Sequence, residues 1–142
     1  MIRVVLDTNV LASGALVSDS PVTRVIDAWL CDARFVVLVS EEMLDELDRA
    51  FRKPYFTRRL GPALREAYLA LIRSAAFVID VHTRVRGVAT HPEDDAILAT
   101  AVDGEANYLV TGDRALLALG SYRDVRIIRA RELVELIADG AV

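Results

Sequence analysis

One cysteine, Cys31, and two histidines, His82 and His91, are all that this 142-residue chain offers of thiol and imidazole metal ligands. A single thiol forms no internal disulfide and no cysteine-rich zinc site. Two histidines are too few, and too badly placed, for a zinc triad, and His91 before Pro92 reads as a loop residue. Lysine is almost absent too, Lys53 being the only one. No apolar run approaches the ~20 residues that span a bilayer. The N-terminus lacks the basic region and cleavage site of a signal peptide. The expectation is a soluble, cytoplasmic protein with no membrane association. No repeat, low-complexity stretch or linker interrupts the chain, so residues 1–142 are expected to form a single domain. No glycine-rich loop follows the first apolar run, which excludes a Rossmann nucleotide site.

What the sequence has is aliphatic bulk and acid. Hydrophobic residues make up 54% and aromatics 6%, so the apolar content is mostly Ala, Val, Leu and Ile. That suits a parallel sheet covered by helices. The net charge of −4 argues against a protein that coats nucleic acid non-specifically. It leaves room for a nuclease, since carboxylates gathered for a metal make the bare protein more acidic.

The opening run Arg3-Val4-Val5-Leu6-Asp7 reads as a buried strand with an aspartate at its carboxyl end, followed by a helix. Asp7 there is either the helix cap or a site residue. Ser20 and Pro21 begin a helix to about Asp32, on which Cys31 is expected to be packed or half-buried. Phe35 to Val39 is a second strand. Ser40 caps a helix whose apolar face is Met43, Leu44, Leu47 and Phe51, with Glu42 and Glu46 sharing the adjoining face.

Arg49, Arg52, Lys53, Arg58 and Arg59 alternate with Phe51, Tyr55 and Phe56, a mixture that suits a single-stranded nucleic-acid surface or a solvated helical hairpin. Phe51 and Phe56 are core in either case. The next helix, Pro62 to Ala75, is expected to turn Leu64, Tyr68, Leu71 and Ile72 inward. A third strand, Phe77 to Val81, leads to a loop over Thr83 to Thr90 and a helix opening at Pro92-Glu93-Asp94-Asp95. Tyr108 to Val110 is a fourth strand ending in Thr111-Gly112-Asp113, and Val125 to Ile128 a fifth before a closing helix.

Strands alternating with helices imply right-handed crossovers and a parallel sheet. Ligands bind at the carboxyl ends of such strands, where the order reverses. If the fourth strand lies beside the first, Asp7 and Asp113 face each other there. The turn carrying Asp94 and Asp95 closes a third side, and Glu46 reaches the same edge. Carboxylates so close need protons or a divalent cation, and all-oxygen ligands favour Mg²⁺ or Mn²⁺.

These residues carry a resemblance. Val4-Val5-Leu6-Asp7-Thr8-Asn9-Val10-Leu11 resembles the opening motif of the PIN-domain ribonucleases. Ser40 through Glu46-Leu47 is similar to their second motif, Pro92 to Ala99 to their third, and Val110-Thr111-Gly112-Asp113 to their fourth. The resemblance implies an α/β/α sandwich on a parallel five-stranded sheet of order 3-2-1-4-5. It implies Mg²⁺- or Mn²⁺-dependent RNA cleavage by metal-activated water. Asp7, Glu46, Asp95 and Asp113 would form the acidic site, with Asp94 the alternative to Asp95. Asn9 and Thr111 would shape it by hydrogen bonding. Arg49, Arg52, Lys53, Arg58 and Arg59 would track the RNA backbone. The single-domain members that the chain most resembles are toxins of toxin–antitoxin pairs, so the resemblance also implies a homodimer and an antitoxin partner.

Two other readings compete. A PIN-like module could bind a metal or a partner without catalysis. A haloacid-dehalogenase-like phosphatase also begins with an aspartate after strand one, but it needs a second aspartate two residues on, where this chain has Asn9, and a lysine in the site. A response-regulator receiver likewise wants a lysine where Thr111-Gly112-Asp113 stands.

Overall fold

The computed structural model describes residues 1–16, 18–89 and 91–142. In chain order the elements are β1 (Arg3–Leu6), α1 (Thr8–Ser13), α2 (Pro21–Leu30), β2 (Val36–Val39), α3 (Glu41–Phe51), α4 (Pro54–Thr57), α5 (Pro62–Ala75) and β3 (Phe77–Val78). They continue with α6 (Pro92–Asp103), β4 (Tyr108–Val110), α7 (Arg114–Leu119), β5 (Ser121–Tyr122), β6 (Val125–Ile128) and α8 (Ala130–Ala138).

The sheet has the order β3-β2-β1-β4-β6-β5. Its first five strands in that order are parallel, with Val5 beside Leu38 on one side and Leu109 on the other. The expected order 3-2-1-4-5 is therefore present, but the sheet has six strands rather than five and is not wholly parallel. The extra strand, β5, pairs antiparallel with β6 as a short edge hairpin. Gly120 (φ 70°) and Arg123 (φ 50°), both in the left-handed region, flank it.

Central strands buried on both faces account for the apolar runs. Val4, Val5 and Leu6 are fully buried, as are Leu109 and Val110. Each such side chain contributes ~1.5–3 kcal/mol relative to exposure. Helices cover both faces, with α3 packed against α1, α5 and α6, and α2 against α8. Phe51 and Phe56 meet edge to face in the core, 5.3 Å between centroids. Ser20 and Ser40 cap α2 and α3 through their hydroxyls, as the residue types predict.

Several expectations shift. β3 is two residues long rather than five, and both Phe77 and Val78 are exposed, because it is the outer strand. On α5 only Ile72 is fully buried and Tyr68 half-buried, while Leu64 and Leu71 face outward. Cys31 follows the last turn of α2 and is exposed rather than packed. The loop expected over Thr83 to Thr90 is irregular through Ala89, and Thr90 lies outside the described residues.

The end of α1 is locked from two sides. The Tyr68 hydroxyl donates to the Leu11 carbonyl at 2.8 Å, and burial pushes its pKa up. A Cβ on Gly14 would stand 2.5 Å from Ile26 Cγ1 and 2.8 Å from that hydroxyl. Gly14 has helical backbone angles, so alanine there would ordinarily be neutral or stabilising. The overlap reverses the sign. Gly14→Ala is expected to destabilise the protein by ~1–3 kcal/mol, read as a lower urea midpoint at unchanged slope.

Candidate active site at the carboxyl edge of the sheet

β1 and β4 are neighbours, so their carboxyl ends bring Asp7 and the Thr111-Gly112-Asp113 turn together. Asp7 is buried, only 4% exposed. It occupies the N-cap position of α1 without a side-chain cap hydrogen bond. Its Oδ2 instead accepts from the Thr111 hydroxyl at 2.6 Å. The same Thr111 oxygen accepts from the Asp113 amide at 3.0 Å. One buried hydroxyl thus fixes both acids relative to each other. Burial raises the Asp7 pKa, the Thr111 bond opposes this, and the charge of Asp113 adds to the rise.

Asp113 does cap its helix. Its Oδ1 accepts from the Leu116 amide at 2.9 Å at the start of α7. Glu46 comes from the middle of α3 and is half-buried, and burial together with the charges of Asp7 and Glu93 raises its pKa. Arg49, one turn on, offsets part of this. The Thr8 hydroxyl is buried and has no partner at hydrogen-bond distance. Sequence reading missed Thr8. The available signal was a hydroxyl directly after the strand-end acid, where an apolar residue would fill the core better.

The two adjacent acids of α6 are separated by their surroundings. Asp94 is half-buried, and its pKa is pushed up to about 6, first by burial and then by the charges of Asp7 and Asp113. Glu46 adds to this and His91 opposes it. Asp95 is engaged elsewhere. Buried at 9% exposure, it accepts from the Gly87 amide at 3.0 Å and the Ala89 amide at 2.8 Å, tying the loop before α6 to that helix. Asp103 does the same at the other end of α6, accepting from the Thr83 amide at 2.8 Å and from the His82 amide.

Of the remaining expected residues, Thr111 is central, whereas Asn9 is exposed on the first turn of α1 with no side-chain hydrogen bond among the described residues. The basic segment is partly committed to itself. Arg52 pairs with Asp48 at 2.9 Å, and the Arg59 guanidinium lies 3.8 Å from the Tyr55 ring centroid while donating to the Tyr55 carbonyl. Lys53 and Arg58 are exposed on the same stretch.

Asp7, Glu46, Asp94 and Asp113 thus feel one another's charge at one edge, so the donors there are mainly carboxylate oxygens. That set suits a hard divalent cation such as Mg²⁺ or Mn²⁺, and the unpartnered Thr8 hydroxyl adds a further oxygen beside it. Among the described residues no three acidic side chains are already drawn in around a single ion position.

The PIN-domain sequence model matches residues 3–115, which carry all four acids, and the chain belongs to the PIN-domain family. No curated protein is recognisably similar in sequence. The fold is shared with solved structures. VapBC2 from Rickettsia felis, solved bound to a DNA fragment from its promoter, superposes with a TM-score of 0.63 at 14% identity over 89% of this chain and 97% of that one. FitAcB from Neisseria gonorrhoeae gives 0.58 at 19% identity, over 90% and 98%. The sarcin-ricin-loop-cleaving toxin VapC20 of Mycobacterium tuberculosis gives 0.59 at 18% identity, over 87% and 98%. Membership of the family removes the aspartyl-phosphate phosphatase alternative. Among the described residues no helix is long and apolar enough to cross a membrane.

Proposed function

We propose that this chain is a Mg²⁺- or Mn²⁺-dependent endoribonuclease and the toxin of a toxin–antitoxin pair. Asp7, Glu46, Asp94 and Asp113 are its acidic site, and Asp95 holds the neighbouring loop. The observation that carries this is the Asp94 carboxyl, whose pKa is pushed up to about 6 where Asp7, Asp113 and Glu46 converge on it, inside the segment that matches the PIN domain.

Such a cluster is costly unless positive charge completes it. A bound divalent ion would supply that charge, polarise the scissile phosphoryl group and acidify the attacking water. The protein's part is positioning. Thr111 holds Asp7 in one rotamer and keeps Asp113 at a fixed offset. The Leu116 amide fixes one oxygen of Asp113 and leaves the other for the site. The carboxylates so held would take the ion between them and accept protons from the water.

The toxin reading draws on the structural neighbours, which include VapC20, a sarcin-ricin-loop-cleaving toxin. It brings with it an antitoxin partner and a homodimer. The outward Leu64 and Leu71 of α5 leave apolar surface for such a contact.

The test is cleavage of a structured and an unstructured RNA with Mg²⁺, with Mn²⁺ and with EDTA. The wild-type protein is expected to cleave only with a divalent ion, and Asp7→Asn to lose that activity by at least about a hundredfold, ~2.7 kcal/mol of barrier. Full metal-dependent cleavage by Asp7→Asn would overturn the proposal. Heat from a Mn²⁺ titration without cleavage of any RNA would favour a metal-binding module instead.

A further inference from the structure

Beside the acids, a groove of about 540 Å³ runs between the N-terminal turns of α2 and α8. Its floor is apolar, from Val10, Val22 and Ala130, and it opens onto the site through Thr111 and Gly112. Thr111 is the residue bonded to Asp7, and Gly112 directly precedes Asp113. Two arginines, Arg129 and Arg131, line the other side. Both are exposed, and neither is in an ion pair among the described residues. The one acid in the lining, Glu132, is occupied with the Arg129 amide at 3.2 Å.

We infer that this groove holds the RNA strand next to the scissile phosphate, with Arg129 and Arg131 on its phosphates and a base against the apolar floor. The inference rests on the ribonuclease reading and gives that reading a substrate path. Three observations carry it. In a chain of net charge −4, uncommitted cations flank a strongly acidic site, and a polyanion approaching that site needs them. An apolar floor with a cationic rim matches a base and its phosphate better than it matches either alone. Gly112 supplies the third. Its backbone is outside the left-handed region, and a Cβ there would meet nothing within 4 Å. The fold does not need glycine at 112, but a side chain would stand in the passage between the acids and the arginines. The basic segment around Arg52 and Arg59 is the weaker track, since both of those arginines are already used locally.

The test compares wild type, Arg129→Gln/Arg131→Gln and Gly112→Leu, with Arg123→Gln as a control from the hairpin that precedes β6. Each is checked by circular dichroism for an unchanged melt. Cleavage of a single-stranded RNA is followed with Mn²⁺, and binding of a labelled RNA oligonucleotide is measured in the Asp7→Asn background. The double variant is expected to raise KM about tenfold or more at nearly unchanged kcat. It should also flatten the plot of log affinity against log salt by ~1.4, about 0.7 for each lost phosphate contact. Gly112→Leu is expected to raise KM without changing the salt slope, and Arg123→Gln to change neither. Wild-type KM and salt slope in both groove variants, with the wild-type enzyme active, would overturn the inference and leave the ribonuclease reading standing. Absence of both RNA cleavage and RNA binding in the wild type overturns both. Binding of labelled oligoglutamate that is lost in Arg129→Gln/Arg131→Gln, with no affinity for RNA, assigns the groove to an acidic protein partner and also overturns it.

Discussion

Asp94→Asn is expected to lose at least about a hundredfold of metal-dependent RNA cleavage while folding normally, whereas Asp95→Asn is expected to lose stability first. The two residues are neighbours in sequence and a conservative change is made at each, so the contrast isolates where each carboxylate points. Asp94 is the acid whose charge is opposed by Asp7, Asp113 and Glu46. Asparagine there removes a negative charge from the proposed metal site and also relieves repulsion. The metal-free variant should therefore be as stable as wild type or more so at neutral pH. Asp95 receives two backbone amides, from Gly87 and Ala89. An asparagine keeps one acceptor oxygen but turns an NH₂ toward the second amide. The cost is ~1.5–3 kcal/mol for a buried charge-assisted bond, and it falls on the loop that Gly87 carries through the left-handed region at φ 66°. Thermal melts and cleavage rates, compared where both variants are folded, check the pair. An active Asp94→Asn beside an inactive but fully stable Asp95→Asn would reverse the two roles.

The difference between those two acids also marks where the sequence stopped being legible. The strands and their order could be read because β1, β2, β4 and β6 are short aliphatic runs that end in turn or cap residues, and because Asp7 and Asp113 each end one. Choosing between Asp94 and Asp95 required more. Neighbours on a helix point ~100° apart, and the pattern Asp-Asp-Ala-Ile-Leu does not say which direction faces the sheet edge. Proximity to the apolar run favoured Asp95, yet that same proximity buries it against the preceding loop. On α5, the spacing of Leu64, Leu71 and Ile72 marks one apolar face, but periodicity cannot say whether a partner element covers it, and only Ile72 is fully covered. The β5 hairpin holds two residues, too few for any alternation to show. The basic segment announces charge without revealing that Asp48 and the Tyr55 ring have claimed two of its arginines.

Without a divalent ion, the protein is expected to be more stable near pH 5 than at pH 7, the reverse of ordinary acid sensitivity. The sign follows from the acidic site. Asp7, Glu46 and Asp94 all have pKa values raised in the fold, by burial first and by the charges of neighbouring carboxylates next. A raised carboxyl binds its proton more tightly folded than unfolded. Its favourable contribution is complete below the unfolded value of 3.8 for Asp94 and is lost as pH rises through the folded value of about 6. Glu41, beside Arg73, and Asp103, which accepts from Thr83, have lowered values and act oppositely, but they titrate below the pH 5–7 window. Asp94 is only half-buried, so solvent screening holds its share to about 1 kcal/mol. For a domain of this size that is a fall of ~3–5 °C in melting temperature between pH 5 and 7 in EDTA. Asp94→Asn should flatten the profile. Mn²⁺ at a hundred times its dissociation constant should add ~2.7 kcal/mol at pH 7, and much less at pH 5, where protons compete for the same oxygens. A metal-free melting temperature that rises from pH 5 to 7, unaffected by Mn²⁺, would mean that these carboxylates neither repel one another nor share an ion.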